Sequence, residues 1–153
     1  MHTFQFTTTK SVLCEVGGTA KIGDLMSDMG CKKVAFVTDK VILELGLAEA
    51  ALEGLKIAGV DVHLIDDVVP DPPEAMILTA VAEAEAAGVD GVVSIGGGSS
   101  LDTAKLIAVL VGSDQPISEM YGIGQIRGKR LPLVLAPTTA GTGSEVTTIS
   151  IVS

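Results

Sequence analysis

The chain has 153 residues, of which 47% are apolar and 3% aromatic, and its formal net charge is −9. This length predicts one domain with one core. The acidic balance argues against a nucleic-acid partner, because a protein that neutralises phosphate backbones needs a basic surface. Cys14 and Cys31 lack metal-ligand spacing and predict small buried side chains in a reducing compartment. Since the sequence shows neither a leader peptide nor a membrane span, we expect a cytoplasmic protein without membrane contact.

The first predicted element is an N-terminal β-hairpin, formed by residues 3–7 and 11–16. An amphipathic helix is predicted next, because apolar residues recur at helical spacing from Ile22 to Met29 and Gly30 then provides a stop signal. From residue 34 onward, short apolar runs alternate with helical patterns. The predicted strands cover 34–37, 60–65, 91–95 and 131–136, and the predicted helices cover 47–58, 74–87 and 101–111.

This alternation predicts an α/β fold, a Rossmann-like parallel sheet with helices on both faces. Ligands of such sheets bind at the carboxyl ends of the strands. The final run, 145–153, is strand-like and ends without a cap or a turn. We therefore expect that the chain is truncated inside a longer protein.

The strongest functional signal is the glycine-rich loop after the third predicted strand. Gly96, Gly97 and Gly98 let the backbone approach an anion, and the free amides at the start of the next helix favour negative charge. Ser99 and Ser100 are suited to cap that helix or to donate to phosphate oxygens. The loop is neither a Walker A sequence nor GxGxxG, which disfavours nucleoside triphosphate hydrolysis. A purely structural turn remains the alternative.

Other polar residues are predicted at the same edge of the sheet. Asp39 directly follows the first strand, where it would accept hydrogen bonds from an adenosine ribose and repel a 2′-phosphate, or would cap the next helix. Asp102, in the first turn of its helix, would either cap amides or orient the loop against a cofactor. The loop 137–145 again places hydroxyls and glycines after a strand, and two such loops favour a shared anion site.

Asp39 and the two blocks 96–105 and 137–147 together resemble the iron-dependent (group III) alcohol dehydrogenase family. The resemblance covers essentially the whole chain. It implies that residues 1–153 are the family's N-terminal dinucleotide-binding domain and that the all-helical second domain, which binds the metal, is absent.

The resemblance also implies roles for individual residues. Those implied to hold the pyrophosphate of NAD are Gly97, Gly98, Ser99 and Ser100. Those implied to lie along the cofactor are Thr138, Thr139 and Thr142. Asp39 is implied to meet the adenosine ribose, which selects NAD. Asp71 stands where the family usually has Asn within Pro-Asn-Pro; it keeps an acceptor, loses the amide donor and is retained as a predicted cofactor contact.

The activity implied for the intact enzyme is hydride transfer between NAD(H) and a small primary alcohol or aldehyde. A divalent metal, usually iron and sometimes zinc, would assist from an Asp and three His of the second domain, and the intact enzyme would be a homo-oligomer. Here the only histidines are His2 and His63, which lack ligand spacing. We therefore expect neither a metal ligand nor a catalytic residue in this chain, and negligible turnover by it alone.

Two alternatives remain at this stage. One is an enzyme resembling glycerol dehydrogenase or 3-dehydroquinate synthase, which the threonine-rich second loop disfavours. The other is a non-catalytic dinucleotide-binding module. The alcohol or aldehyde itself stays open, because most of its pocket is expected in the second domain.

Overall fold

The structure is a computed structural model that describes residues 8–122, 124–147 and 149–151. Its helices are α1 (Ile22–Asp28), α2 (Lys40–Glu44), α3 (Glu49–Ile57), α4 (Glu74–Ala87) and α5 (Gly98–Leu110). Its strands are β1 (Lys33–Val37), β2 (Asp61–Ile65), β3 (Gly91–Gly96) and β4 (Leu133–Pro137). Short 3-10 turns span Gly18–Lys21 and Ile117–Glu119. The predicted alternation of strands and helices is confirmed.

The four strands form one parallel sheet in the order β2-β1-β3-β4. Val34 of β1 pairs with Val62 of β2 on one side and with Gly91 of β3 on the other. The chain therefore adds β2 to one side of β1 and then adds β3 and β4 to the opposite side. The boundary between β1 and β3 is a topological switch point, and the carboxyl ends of the strands at such a point open a crevice.

Helices cover both faces of the sheet, as the sequence predicts. On one face, Phe36 of β1 lies in an apolar cluster with Met26 of α1 and Leu55 of α3. On the other face, Val37 of β1 lies in a cluster with Ile107 of α5. Adjacent residues of β1 thus serve opposite faces, because side chains alternate along a strand. All five of these side chains are fully buried, so packing on both faces fixes the position of β1.

Helix boundaries agree with the sequence at α4 and differ at α5. Helix α4 ends at Gly88, whose φ of 68° is the left-handed conformation that glycine favours after a helix. Helix α5 begins at Gly98 and not at residue 101, so the glycine-rich bend is shorter than predicted. Helix α2 was not resolved from the sequence as a separate element, and Gly46, with a φ of 70°, separates it from α3.

Two predicted β segments at the ends of the chain need correction. The first half of the predicted hairpin, 3–7, lies outside the described residues, and the second half, 11–16, forms no strand. Val12 and Val16 are exposed there, and a hairpin without a packed face is marginal in water. The described part of the predicted strand 145–153 is a turn followed by irregular chain. The amides of Val146 and Thr147 both donate to the Gly143 carbonyl, which bends this segment away from an extended strand.

In the part of the chain that the structure describes, no helix has the length and apolar character needed to cross a bilayer.

Candidate functional site

A cleft of about 510 Å³ lies at the carboxyl ends of β1, β2 and β3. This is the position that the strand order assigns to a ligand. Its walls come from three segments that each follow a strand. The lining residues are Asp39, Lys40, Val41, Asp66, Asp67, Val68, Val69, Pro70, Gly97, Gly98, Ser99 and Ser100.

The floor of the cleft is the N-terminus of helix α5. Gly97 is its N-cap residue, has a φ of −78° and a ψ of −179°, and offers no side chain to the helix. The amides of Gly98, Ser99 and Ser100 belong to the first turn, where the helix itself supplies no acceptor. The predicted capping role of Ser99 and Ser100 is wrong, because both lie inside the helix. Their amides and the positive end of the helix dipole instead face an anion-sized space.

The three glycines of the loop differ in what surrounds them. A Cβ on Gly96 would lie 2.7 Å from the Ser100 side chain, so Gly96 is required for packing. A Cβ on Gly98 would lie 3.3 Å from Thr142 Cγ2 and from Ser144 Oγ. At Gly97 the nearest atoms belong to Thr139 and are 3.8 Å away. A methyl group at Gly97 would therefore make ordinary van der Waals contact with Thr139. Gly97 also lines the cleft, and the residues present fit a bound phosphate there.

The second predicted loop closes over the first. The amide of Thr138 donates to the Gly96 carbonyl at 2.9 Å, which extends the pairing of β3 with β4. Thr139 then faces Gly97, and Thr142 reaches Gly98. The structure thus brings the two loops together, as expected from two parallel neighbouring strands.

Asp39 lies at the opposite wall and caps helix α2. Its Oδ1 accepts a hydrogen bond from the Ile42 amide at 3.1 Å, so the capping alternative is confirmed. Its Oδ2 would lie 3.7 Å from a Cβ on Gly96. The cap therefore holds the second oxygen toward the glycine-rich loop, and a ribose contact by that oxygen stays a prediction.

Asp71 also lies against the loop. Its amide donates to Ser99 Oγ at 3.4 Å, and its φ of 49° is unusual for a residue other than glycine. The Pro-Asp-Pro turn thus comes close to the N-terminus of α5 through its backbone. A contact of the Asp71 carboxylate with a cofactor stays a prediction.

Asp102 does not line the cleft. It is 6% exposed, and its Oδ2 accepts a hydrogen bond from the Ile151 amide at 3.1 Å. The prediction that it caps amides of its own helix is wrong, because it lies in the second turn and bonds a distant segment. The expected role of Asp102 in orienting the loop against a cofactor stays a prediction.

Sequence reasoning missed several cleft residues. Asp66 and Asp67 follow β2 directly, the same positional signal that singled out Asp39. Val41 and Val69 line the cleft although they are 59% and 45% exposed. Isolated valines carry no sequence signal for binding, so only the fold could reveal them.

Within 8–122, 124–147 and 149–151, the structure groups no three His, Cys, Asp or Glu side chains as a metal site would require. His63 lies in β2, and its buried Nε2 has no hydrogen-bond partner. His2 lies outside the described residues.

Comparison with known proteins identifies the family. The sequence profile of iron-containing alcohol dehydrogenases matches residues 9–153. The chain is 41% identical over 128 residues to long-chain-alcohol dehydrogenase 1 of Geobacillus thermodenitrificans, an alignment that covers 82% of this chain and 32% of that protein. It is 34% identical over 137 residues to the NAD-dependent methanol dehydrogenase of Bacillus methanolicus, covering 90% of this chain and 36% of the relative.

The structure gives the same result. It matches a crystal structure of 1,3-propanediol oxidoreductase with a TM-score of 0.90 at 29% identity, over 95% of this chain and 38% of the other. A parallel sheet whose switch point carries a glycine-rich helix start defines a Rossmann-like nucleotide-binding class of fold. Within that class, the chain belongs to the iron-containing alcohol dehydrogenase family. It spans about a third of the length of these curated relatives.

Proposed function

We propose that residues 1–153 are the dinucleotide-binding domain of an NAD-dependent dehydrogenase. In the intact enzyme, hydride passes between NAD(H) and a small primary alcohol or aldehyde. The observation that carries this proposal is the start of helix α5, which has no side-chain cap and lines a cleft at the switch point of the sheet. When bound, the nicotinamide supplies the hydride chemistry, and the task of this chain is to bind and orient it.

The pyrophosphate is assigned to the N-terminus of α5. The amides of Gly98, Ser99 and Ser100 would donate to its oxygens, and the helix dipole would favour its charge. Gly97 lines the cleft and carries no side chain, so the backbone of the loop would come close to the anion. The Thr139 hydroxyl, which lies near Gly97, would be a further donor.

The adenosine half is assigned to the wall formed after β1 and β2. Asp39 would accept hydrogen bonds from the ribose diol through its second carboxylate oxygen. Val41 and Val69, both substantially exposed in the cleft, would cover the faces of an adenine ring. Asp66 and Asp67 add negative charge to the same wall, which disfavours the 2′-phosphate of NADP.

The rest of the activity is assigned to a part that corresponds to the relatives outside the aligned segment. The curated relatives are about three times as long as the aligned segment. We propose that the metal, iron or zinc, and most of the alcohol pocket lie in an all-helical second domain. The metal would polarise the alcohol or carbonyl oxygen there. The intact enzyme is proposed to be a cytoplasmic homo-oligomer, and the free thiols of Cys14 and Cys31 fit a reducing compartment.

The test compares this chain with the full-length protein encoded by the same gene. NAD reduction is measured with ethanol and 1,3-propanediol, and NAD binding is measured separately. We expect both proteins to bind NAD and only the full-length protein to reduce it. Reduction of NAD by the chain alone would contradict the assignment of the metal and most of the alcohol pocket to a second domain. A full-length protein that binds NAD and oxidises no alcohol would instead support a non-catalytic module.

A further inference from the structure

Lys105 is a lysine whose ammonium group is turned inward. Its side chain is 12% exposed, and it lies two turns into helix α5. The ammonium lies 2.8 Å from Asp102 Oδ1, a charge contact and not an aligned hydrogen bond. It also donates to the carbonyl oxygen of Ile149 and, at 3.5 Å, to the hydroxyl of Thr147. Three oxygens thus surround a group with three N–H donors.

Asp102 also binds the segment that Lys105 contacts. Its side chain is 8% exposed, and its Oδ2 accepts from the Ile151 amide at 3.1 Å. The acid and the base, three residues apart on one helix, therefore hold both a carbonyl and an amide of the segment 147–151. A buried acid and base paired in this way are costly to separate, because each leaves the other as an uncompensated charge.

Apolar burial does not account for the position of this segment. Ile149 and Ile151 are 58% and 67% exposed. Side chains this exposed gain little from the hydrophobic effect. Among the described residues of this segment, the polar contacts to Asp102 and Lys105 join residues 147, 149 and 151 to α5.

The segment is continuous with the threonine loop 138–144, which lies against Gly97 and Gly98 at the start of α5. Thr142 and Ser144 pack against Gly98 at the start of α5, and a turn at Gly143–Thr147 then leads toward the pair. The chain thus follows α5 from its first residue to Lys105, about 10 Å along the helix at 1.5 Å per residue. The loop is held at the cleft by packing at one end and by the ion pair at the other.

We propose that Asp102 and Lys105 are positioning residues, which fasten the segment 147–151 to helix α5 and so hold the threonine loop 138–144 over the dinucleotide cleft. The inference rests on the proposed function, since it names what keeps one wall of that NAD site in place. Lys105 is not assigned to the phosphate itself, because its ammonium already faces three protein oxygens.

The first arm of the test needs no ligand. Hydrogen–deuterium exchange of peptides from 138–151 is compared in the native chain, in Lys105→Met, and in Lys56→Met. Lys56 provides the matched control, because it also pairs with an acid three residues away, Glu53, but both side chains are 80% and 61% exposed. We expect faster exchange of 138–151 in Lys105→Met alone, with exchange of β1 peptides unchanged. Unchanged exchange of 138–151 would overturn the proposal.

The second arm measures NAD affinity by calorimetric titration of the same chains. If the loop occupies its binding arrangement about one-tenth of the time after the anchor is lost, the apparent Kd rises about tenfold. Lys105→Arg is expected to recover most of the affinity, because it restores the cation. If Lys105 served only the general stability of the domain, Lys105→Met and Lys105→Arg would both lower the melting temperature, and the two variants would bind NAD with the same affinity.

A third variant covers the case in which Lys105→Met does not fold. The double variant Asp102→Leu, Lys105→Met leaves no buried charge unpaired and removes the side-chain contacts to both Ile149 and Ile151. It is expected to fold, to release 138–151 and to bind NAD weakly. Native affinity in a folded double variant would overturn the proposal. If the native chain binds no NAD, the proposed function fails, while the exchange arm still decides whether the pair fastens the segment.

Discussion

Asp39 caps helix α2 by accepting a hydrogen bond from the Ile42 amide at 3.1 Å, and the same carboxylate turns its other oxygen toward the glycine-rich loop. One side chain therefore has a structural task and, under the proposed function, a second task in recognising the ribose. The two tasks differ in what they require. A helix cap needs an oxygen acceptor, whereas rejection of a 2′-phosphate needs negative charge.

Substitution of Asp39 can separate these tasks. Asp39→Asn keeps a good N-cap, so the free energy of unfolding should stay close to that of the native chain. It removes the charge, so the preference for NAD over NADP should fall. Asp39→Ala should show the same loss of preference and also cost about 1 kcal/mol of stability through the lost cap. Urea unfolding and paired titrations with NAD and NADP measure both effects. An undiminished preference in Asp39→Asn would remove Asp39 from the cofactor site.

The contact between helices α1 and α3 should be intolerant of a single methyl group. A Cβ on Gly23 would lie 2.0 Å from the carbonyl oxygen of Gly54, which is backbone and cannot turn aside. Alanine is favoured over glycine within a helix by about 1 kcal/mol, but overpacking of this kind costs about 1–3 kcal/mol or more. Gly23→Ala is therefore expected to lower the free energy of unfolding in urea. Gly18→Ala is the control, because its Cβ would meet flexible side chains and no backbone, namely Glu15 at 3.3 Å and Leu13 at 3.9 Å. Equal stability of the two variants would show that α1 and α3 lie farther apart.

The two cysteines should react at very different rates. Burial, and then the negative charge of Asp90, raise the pKa of the Cys31 thiol. A raised pKa means less thiolate at a given pH, and thiolate is the reactive form. Cys14 is exposed and Cys31 is buried, so a thiol reagent at about pH 8 should modify one thiol rapidly and the second only after unfolding. In Cys14→Ser the rapid phase should disappear. Its persistence would contradict the burial of Cys31.

The sequence was sufficient to predict most of the fold because local patterns and tertiary packing agree there. The apolar run of β1 is buried on both faces, and α4 covers the predicted range 74–87 before its terminal Gly88. Prediction from the sequence failed where the conformation of a residue depends on contacts with another segment. Residues 11–16 have strand-like side chains but no strand partner among the described residues. The run after Glu145 is rich in β-branched residues, but its described residues form a turn and irregular chain with contacts to α5.

In the candidate site, too, local patterns predicted some features, and others depended on remote segments. The sequence placed Asp39, the glycine-rich loop and the threonine loop at one edge of the sheet, since parallel strands share that edge. It did not distinguish Gly97, where a methyl group would fit at ordinary contact distance, from Gly96, where a methyl group would clash with Ser100. Nor did it show that Asp102 faces away from the cleft, toward Ile151. These distinctions depend on distances between segments remote in sequence, which no local pattern encodes.

Titration of the chain with ADP-ribose, before and after Gly97→Ala, tests the central claim most directly. Gly97 has a backbone conformation that alanine adopts without strain, and its Cβ would stay 3.8 Å from the nearest side chain, so the variant should fold with native stability. The methyl group would occupy the space assigned to the pyrophosphate. Affinity should fall about tenfold or more, since one lost hydrogen bond to a charged group is worth about 1.5 kcal/mol. Equal binding by a stably folded Gly97→Ala chain would contradict the placement of the dinucleotide on helix α5.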